Sequence, residues 1–251
     1  MARQKLGQHF LSSPGILERI AVAACPPGQP LVIEIGPGKG ALTEHLLARA
    51  ERVVAIEIDP AMVEHLRRTF AAEPRLEIVE ADALTVDLAS WGPAAVTGNL
   101  PYYVATPILE RAAVSGGVFL IQKEVAERVT ARPGSKAYGY FSVLIALFAD
   151  SEMLFTVKPG AFRPPPKVDS AVIRLRPHRR ASELGIADAR KFLEFVSACF
   201  RQKRKTLRNN LTGVKVQQSI DSLPEAGLRA EQLTLEQFAD LYRRVYDSPR
   251  R

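Results

Sequence analysis

The chain has 251 residues, which at about 150 residues per domain means one large domain or one domain with an appendage. With 47% hydrophobic and 24% charged residues it is neither disordered nor of low complexity. Its net charge of +7 favours an anionic partner such as nucleic acid without requiring one, because an arginine-rich coding bias gives the same total. The two cysteines, Cys25 and Cys199, are far apart and form no CxxC pattern, so neither a disulfide framework nor a zinc site is expected and a reducing compartment fits. The opening MARQKLGQHFL has no apolar signal core, and the most apolar stretch, 141–149, is too short to span a bilayer, so the expected location is cytoplasmic.

Short β-rich runs alternate with helical periods at 31–35 (LVIEI), 52–58 (RVVAIEI), 75–81 (RLEIVEA), 94–99 (AAVTGN) and 117–123 (GVFLIQK). Such alternation predicts a mostly parallel sheet covered on both faces. Two further strands, 153–158 and 170–175, flank a proline loop with no helix between them, and predict an antiparallel hairpin at the edge of a seven-stranded sheet. Beyond Pro177 the strand signals stop and short helices follow. The domain boundary is placed in HRRAS, 178–182, giving an α/β domain over 1–177 and a small all-α domain over 178–251.

The first strand runs into GPGKG, with Gly36, Gly38 and Gly40 ahead of an amphipathic helix. Glycines there let backbone approach a ligand closely and aim the helix N–H groups at it, although a glycine turn also serves simple tight packing. The second strand ends in Glu57, where a carboxylate can accept both hydroxyls of a ribose, and the third in Asp82, suited to an adenine amino group. Each acid alone could be a solvated strand end, but together they occupy the edge where ligands bind in such sheets. Neither GxGxxG nor GxxxxGK[ST] is present, which argues against NAD and ATP.

The fourth strand ends in Asn99-Leu100-Pro101-Tyr102-Tyr103. With GPGKG, EID and EAD in this order, NLPYY resembles the ribosomal RNA adenine N6-dimethyltransferases of the bacterial KsgA type. The resemblance runs the length of the chain, through KLGQHFL (5–11), QKEVAERV (122–129), RPGSKAYGYFSVL (132–144), FRPPPKVDSAVIRL (162–175) and ACFRQKRKTLRNNL (198–211). An exocyclic adenine amine is a poor nucleophile because its lone pair is delocalised into the ring. Two acceptors holding its N–H groups can pyramidalise the nitrogen and aim the lone pair at a methyl donor. Asn99 offers a side-chain oxygen, the Leu100 carbonyl can be the second acceptor because Pro101 fixes the turn, and Tyr102 can stack on an extruded base.

The resemblance implies a Rossmann-like methyltransferase using S-adenosyl-L-methionine, held by His9, Leu11, Gly36, Gly38, Glu57, Asp82 and Asn99, with Phe162 opposite Tyr102 on the target base. It implies as substrate two adjacent adenosines in the 3′-terminal hairpin loop of 16S rRNA, in an assembling 30S particle. Two departures stand out: His9, where many relatives have asparagine, and YYVATP in place of YNIST, so Tyr103 is expected to pack. His45, His65 and His178 form no ligand cluster, no metal is expected, and Lys123 and Glu124 receive no catalytic role. The alternatives are a 23S rRNA adenine methyltransferase giving macrolide resistance, and a noncatalytic RNA-binding assembly or transcription factor on the same fold.

The basic charge is regional: residues 163–215 carry +10 and the remainder −3. Phe192, Phe195, Val196 and Cys199 have helical spacing, and Arg201, Arg204, Lys205 and Arg208 repeat it nine residues later, half a helical turn away. If one helix runs through both, the first stripe packs inward and the basic one faces out, as a solvated face or as a surface that tracks RNA phosphates; with Lys203 these are the expected RNA-binding residues. The expected protein is a monomer.

Overall fold

The computed structural model describes residues 9–26, 28–101, 104–213 and 220–246. Tyr102 and Tyr103, weighed above, lie outside the described residues. The chain divides into two compact units, one comprising residues up to Ala126 with Ser151–Pro177, the other Glu127–Asp150 with His178–Arg251.

The first unit starts with β1 (Phe10–Leu11), α1 (Pro14–Ala24), β2 (Gln29–Ile35), α2 (Ala41–Leu47), β3 (Ala50–Glu57), α3 (Pro60–Thr69) and β4 (Leu76–Glu80). It continues with β5 (Ala95–Asn99), α4 (Ala105–Ser115), β6 (Gly117–Gln122) and the start of α5 (Lys123–Val129). After α6 (Tyr140–Phe148) come β7 (Ala149–Val157), β8 (Phe162–Arg163) and β9 (Ser170–Pro177). Seven strands form one sheet in the order β4-β3-β2-β5-β6-β9-β7, and all seven expected strands are in it. Neighbours from β4 to β6 are parallel and β9 runs antiparallel to β6. The chain moves outward from β2 through β3 to β4, then returns to β5 on the other side of β2. That reversal is the switch point outside which ligands bind in open α/β sheets.

Sequence explains the central strands well. Leu31 to Ile35 are all buried, as expected for a strand covered on both faces, and even Glu34 lies inside. Asp59 caps α3 by accepting from the Ala61 N–H at 2.9 Å, and Pro60 follows at the first helical position, where a missing N–H costs nothing. The pairing of β1 with β8 was not predicted: Phe10 stands opposite Arg163 and Leu11 opposite Phe162 in a separate two-stranded antiparallel sheet. Strands of two residues are too short to show alternation.

The second unit is helical, with α6, α7 (Arg180–Glu183), α8 (Ala189–Cys199), α9 (Leu207–Asn210) and α10 (Leu235–Tyr246). Its core joins Tyr138, Val143 and Leu147 to Phe192, Phe195, Val196, Cys199, Phe238 and Leu241. A single boundary near residue 178 is therefore corrected: residues 127–150 belong with the helical unit, because the apolar side of α6 packs into that core. One further correction concerns α8. Its apolar stripe is buried as expected, but the helix ends at Cys199, so the basic stripe is not its continuation. The cause is Asn210, almost fully buried, whose Nδ2 donates to the carbonyls of Cys199 (2.7 Å), Gln202 (3.1 Å) and Lys205 (3.4 Å) while its Oδ1 accepts from the Gln202 N–H (3.0 Å). One amide thus replaces the helical hydrogen bonds and folds 200–206 into a turn.

Both cysteines are buried free thiols. Among the described residues no helix is long and apolar enough to cross a membrane, and no group of His, Cys, Asp and Glu could hold a metal ion.

Candidate active site

A cavity of about 270 Å³ opens at the carboxyl ends of β2, β3, β4 and β5, lined in part by the β1 segment. His9, Leu11, Gly36, Gly38, Glu57, Asp82, Asn99, Leu100, Pro101 and Phe162 all line it, so residues up to 153 positions apart in sequence meet at one place.

The glycine loop shapes one wall. Gly38 has φ +57°, and a Cβ there would come within 3.0 Å of the Phe10 ring. Gly40, at φ +86°, begins α2, and a Cβ on it would meet Phe70 at 2.5 Å. The first glycine is required by the aromatic lying over the loop, the second by helix packing. Phe10 also lies 5.0 Å from the Lys39 ammonium and lines the cavity, a placement that sequence reading missed between His9 and Leu11.

Glu57, buried at the end of β3, ties loop and turn together. Its Oε2 accepts from the Gly38 N–H (3.1 Å) and its Oε1 from the N–H groups of Ile58 (2.9 Å) and Asp59 (3.0 Å). A carboxylate has about four acceptor positions, so about one remains for a ribose hydroxyl rather than the two expected. Asp82 accepts from the Leu84 N–H through Oδ1 at 2.8 Å, which leaves Oδ2 without a partner among the described residues.

A third carboxylate was missed. Glu34 is 1% exposed, lines the cavity and accepts from the Thr43 hydroxyl at 2.6 Å. Burial pushes its carboxyl up to about 7, against the lowering effect of the Thr43 hydrogen bond and with a smaller upward push from Glu57. The signal in sequence was an acid inside an otherwise apolar strand, LVIEI. Glu57 and Asp82, joined by Glu34 as pH rises past about 7, share this cavity with one lysine, Lys39. Such a lining disfavours a polyphosphate and suits a nucleoside bearing positive charge.

At the end of β5 the Asn99 Nδ2 donates to the His9 carbonyl at 3.1 Å. Because a carbonyl can only accept, this bond fixes the amide and leaves Oδ1 as the outward acceptor. The Leu100 N–H donates to the Leu120 carbonyl at 3.0 Å. Neither Asn99 Oδ1 nor the Leu100 carbonyl oxygen has a hydrogen-bond partner among the described residues. Pro101 follows, and its carbonyl accepts from the Val104 N–H as α4 begins.

The β1–β8 pairing brings the N-terminal segment and FRPPP together. His9 donates from Nδ1 to the Pro164 carbonyl at 2.9 Å, and Ser12 donates its N–H to the Ala161 carbonyl at 2.8 Å. Phe162 is 1% exposed and packed in the core beside Leu11, so a base could reach its ring only from within the cavity.

In the second unit, Arg201, Arg204 and Lys205 are exposed on the turn held by Asn210, with no ion pair among the described residues. The other two expected RNA contacts are engaged within the protein. Lys203 donates to the Lys136 carbonyl and lies 3.8 Å from Glu231, and Arg208 pairs with Asp221 at 2.8 Å.

The mostly parallel seven-stranded sheet, with this cavity at its switch point, defines a Rossmann-like methyltransferase. It is similar to the crystal structure of a dimethyladenosine transferase from Plasmodium falciparum (TM-score 0.77, 27% identity, 93% of this chain and 96% of that one). It is also similar to that of the 23S rRNA methyltransferase ErmE (TM-score 0.72, 26% identity, 95% and 100%). The chain belongs to the ribosomal RNA adenine dimethylase family, whose model matches residues 1–247. Among its relatives, the ribosomal RNA small subunit methyltransferase A of Acidobacterium capsulatum is 44% identical over 98% of this chain and 92% of its own length. That of Legionella pneumophila is 40% identical over 95% and 96%.

Proposed function

We propose that this rRNA adenine dimethyltransferase takes its methyl groups from S-adenosyl-L-methionine and places two on each of two adjacent adenosines in the 3′-terminal hairpin loop of 16S rRNA, in an assembling 30S particle. The observation that carries the chemistry is a pair of acceptors without a partner among the described residues, Asn99 Oδ1 and the Leu100 carbonyl, on two residues that line a cavity bearing carboxylates. The cavity fits the proposed cofactor by its donor set: Asp82 keeps an oxygen for an adenine amine, Glu57 keeps about one acceptor position for a ribose hydroxyl, and the acidic lining favours a cation. His9, Leu11, Gly36 and Gly38 complete its walls. When bound, S-adenosyl-L-methionine supplies an electrophilic methyl group on a sulfonium.

The chain's own residues prepare the amine. Asn99 Oδ1 and the Leu100 carbonyl accept its two N–H groups, localising the lone pair on nitrogen and turning it toward the cavity. The Asn99 amide is held in advance by the His9 carbonyl, so no reorganisation is needed when the base arrives. No strong general base is required, because the nitrogen loses its proton only after it has become positively charged. An unstacked base reaching Phe162 from within the cavity would be excluded from water, as base-extruding enzymes require.

The small-subunit substrate is favoured over 23S rRNA by relatives at 40–44% identity that carry the small-subunit name, against 26% for the 23S enzyme. Macrolide sensitivity of cells expressing the protein separates the two readings: unaltered sensitivity is expected. The intact acceptor pair argues against a purely noncatalytic factor. Asn99→Ala is expected to lower methyl transfer at saturating cofactor by about 10²- to 10³-fold, the scale of losing one preorganised partner at a reaction centre. Near-normal turnover would remove Asn99 from its role.

A further inference from the structure

Glu34 is the one carboxylate of the cavity whose place in the site is not accounted for by the binding and transfer roles given above. It sits in the middle of the sheet, in register with Ala55 of β3 and Thr97 of β5, and is almost wholly buried. Its Oε2 accepts from the Thr43 hydroxyl at 2.6 Å. Its Oε1 has no hydrogen-bond partner among the described residues and is not sealed into the interior, so it opens on the cavity that Glu34 lines. No cation pairs with Glu34 among the described residues.

The other titratable groups on the cavity are engaged elsewhere. Glu57 accepts from three backbone N–H groups, Asp82 from the Leu84 N–H, the Lys39 ammonium lies over the Phe10 ring, and His9 bonds the Pro164 carbonyl. From α1, α2, β5 and α4 the cavity receives only apolar or neutral side chains. Burial, reinforced by Glu57, places the Glu34 carboxyl at about 7, so at neutral pH its proton is near balance and a positive charge brought into the cavity favours its loss. A residue needed only to receive the Thr43 hydroxyl could be a glutamine, which accepts the same bond without burying a charge.

We infer that Glu34 is the counter-charge by which the site tells the sulfonium donor from its neutral product: it gives up a proton to solvent when S-adenosyl-L-methionine binds, and keeps it with S-adenosyl-L-homocysteine. This rests on the reading of S-adenosyl-L-methionine as the methyl donor, and adds to it a residue that distinguishes the two forms of the cofactor by charge. The two differ by one methyl group and by one positive charge at sulfur. Transfer breaks the C–S bond with its electron pair left on sulfur, so the positive charge leaves the cofactor with the methyl group. Glu34 then regains a proton from solvent, and its attraction for the spent cofactor is lost at the point where release is needed. The sign follows from linkage: the complex with the cation holds fewer protons than the protein alone, so affinity for the donor rises with pH, whereas affinity for the product does not.

The test is calorimetric titration of the full-length protein with S-adenosyl-L-methionine and, separately, with S-adenosyl-L-homocysteine, between about pH 5.5 and 7.5. Buffers of different ionisation enthalpy count the protons released. Affinity for S-adenosyl-L-methionine is expected to rise about five- to twentyfold over that range, with roughly half a proton or more released near pH 6.5, as a ten- to hundredfold preference of the cation for ionised Glu34 requires. Affinity for S-adenosyl-L-homocysteine is expected to change less than about twofold, with no proton released. Glu34→Gln, which keeps an acceptor for Thr43, is expected to abolish the difference between the two ligands. Thr43→Val removes a hydrogen bond that favours the ionised carboxyl, and is expected to move the rise to higher pH, which a residue that merely fills space would not do. Equal pH dependence for the two ligands, or a difference that persists in Glu34→Gln, would overturn the role of Glu34 and leave S-adenosyl-L-methionine as the donor. A protein that binds neither ligand at any pH would remove the donor as well.

Discussion

Asn99 divides one amide: its nitrogen is spent on the His9 carbonyl, and its oxygen is the acceptor we propose for substrate. The place of Asn99 at the end of a strand was legible from NLPYY, but the partner that orients it was not, because His9 is ninety residues away. His9 had been singled out for its side chain, whereas its backbone carbonyl makes the contact with Asn99. Glu34 shows a second limit of sequence reading. An acid in a buried strand is visible as a letter, but its charge state depends on the surrounding fold. With its carboxyl raised to about 7 from an ordinary 4.5, the native protein holds a proton there that the unfolded chain has released between those values. The sign follows: Glu34 adds no penalty below about pH 4.5, and its destabilising effect grows as pH rises toward 7 and is then complete. Glu34→Gln keeps an acceptor for Thr43 and is expected to raise stability at pH 8 by up to about 3 kcal/mol, with little change at pH 4.5. Chemical denaturation of both proteins at the two pH values checks this; equal stabilisation at both would show that ionisation is not the cause.

Among the elements, strands were read well and helix ends badly. Runs such as LVIEI and RVVAIEI declare themselves because burial on both faces demands continuous apolar sequence. The two-residue strands β1 and β8 had no such signature, yet they connect the N-terminal segment to the FRPPP loop and so close the cavity wall. The end of α8 was obscured for a different reason. Spacing permits a helix through residue 208, and only the buried amide of Asn210, tied to three carbonyls and one N–H, makes a turn of it. Asn210→Ala leaves those groups without a partner and is expected to destabilise the helical unit by about 2 to 3 kcal/mol. It should also weaken RNA binding beyond what the stability loss predicts at temperatures where the variant is folded. Asn210→Asp keeps the acceptor but loses three donated bonds, so it should fall on the same side. Urea denaturation with RNA binding measured on the folded variants distinguishes this from a residue that merely fills space.

For the molecule as a whole, the +7 net charge was a weak clue until it was resolved in space. Much of the basic window is neutralised locally, with Arg174 and Arg176 near Glu152, Lys191 near Asp188 and Arg208 on Asp221. Arg201, Arg204 and Lys205 stand out because, among the described residues, they have no ion pair while their neighbours do. The division into two units was half legible. A composition change near residue 178 was visible, whereas residues 127–150, the end of α5 and all of α6, show no such change and reveal their allegiance only through the core they join.

The proposed role of Asn99 and Leu100 is to hold adenine amines of small-subunit RNA for methylation. Labelled methyl transfer to undermethylated 30S particles, naked 16S rRNA and 23S rRNA in parallel, with mapping of the modified base, tests it most directly. The account predicts N6,N6-dimethyladenosine at two adjacent positions in the 3′-terminal hairpin of 16S rRNA; label confined to 23S rRNA, or none on any of the three substrates, would contradict it.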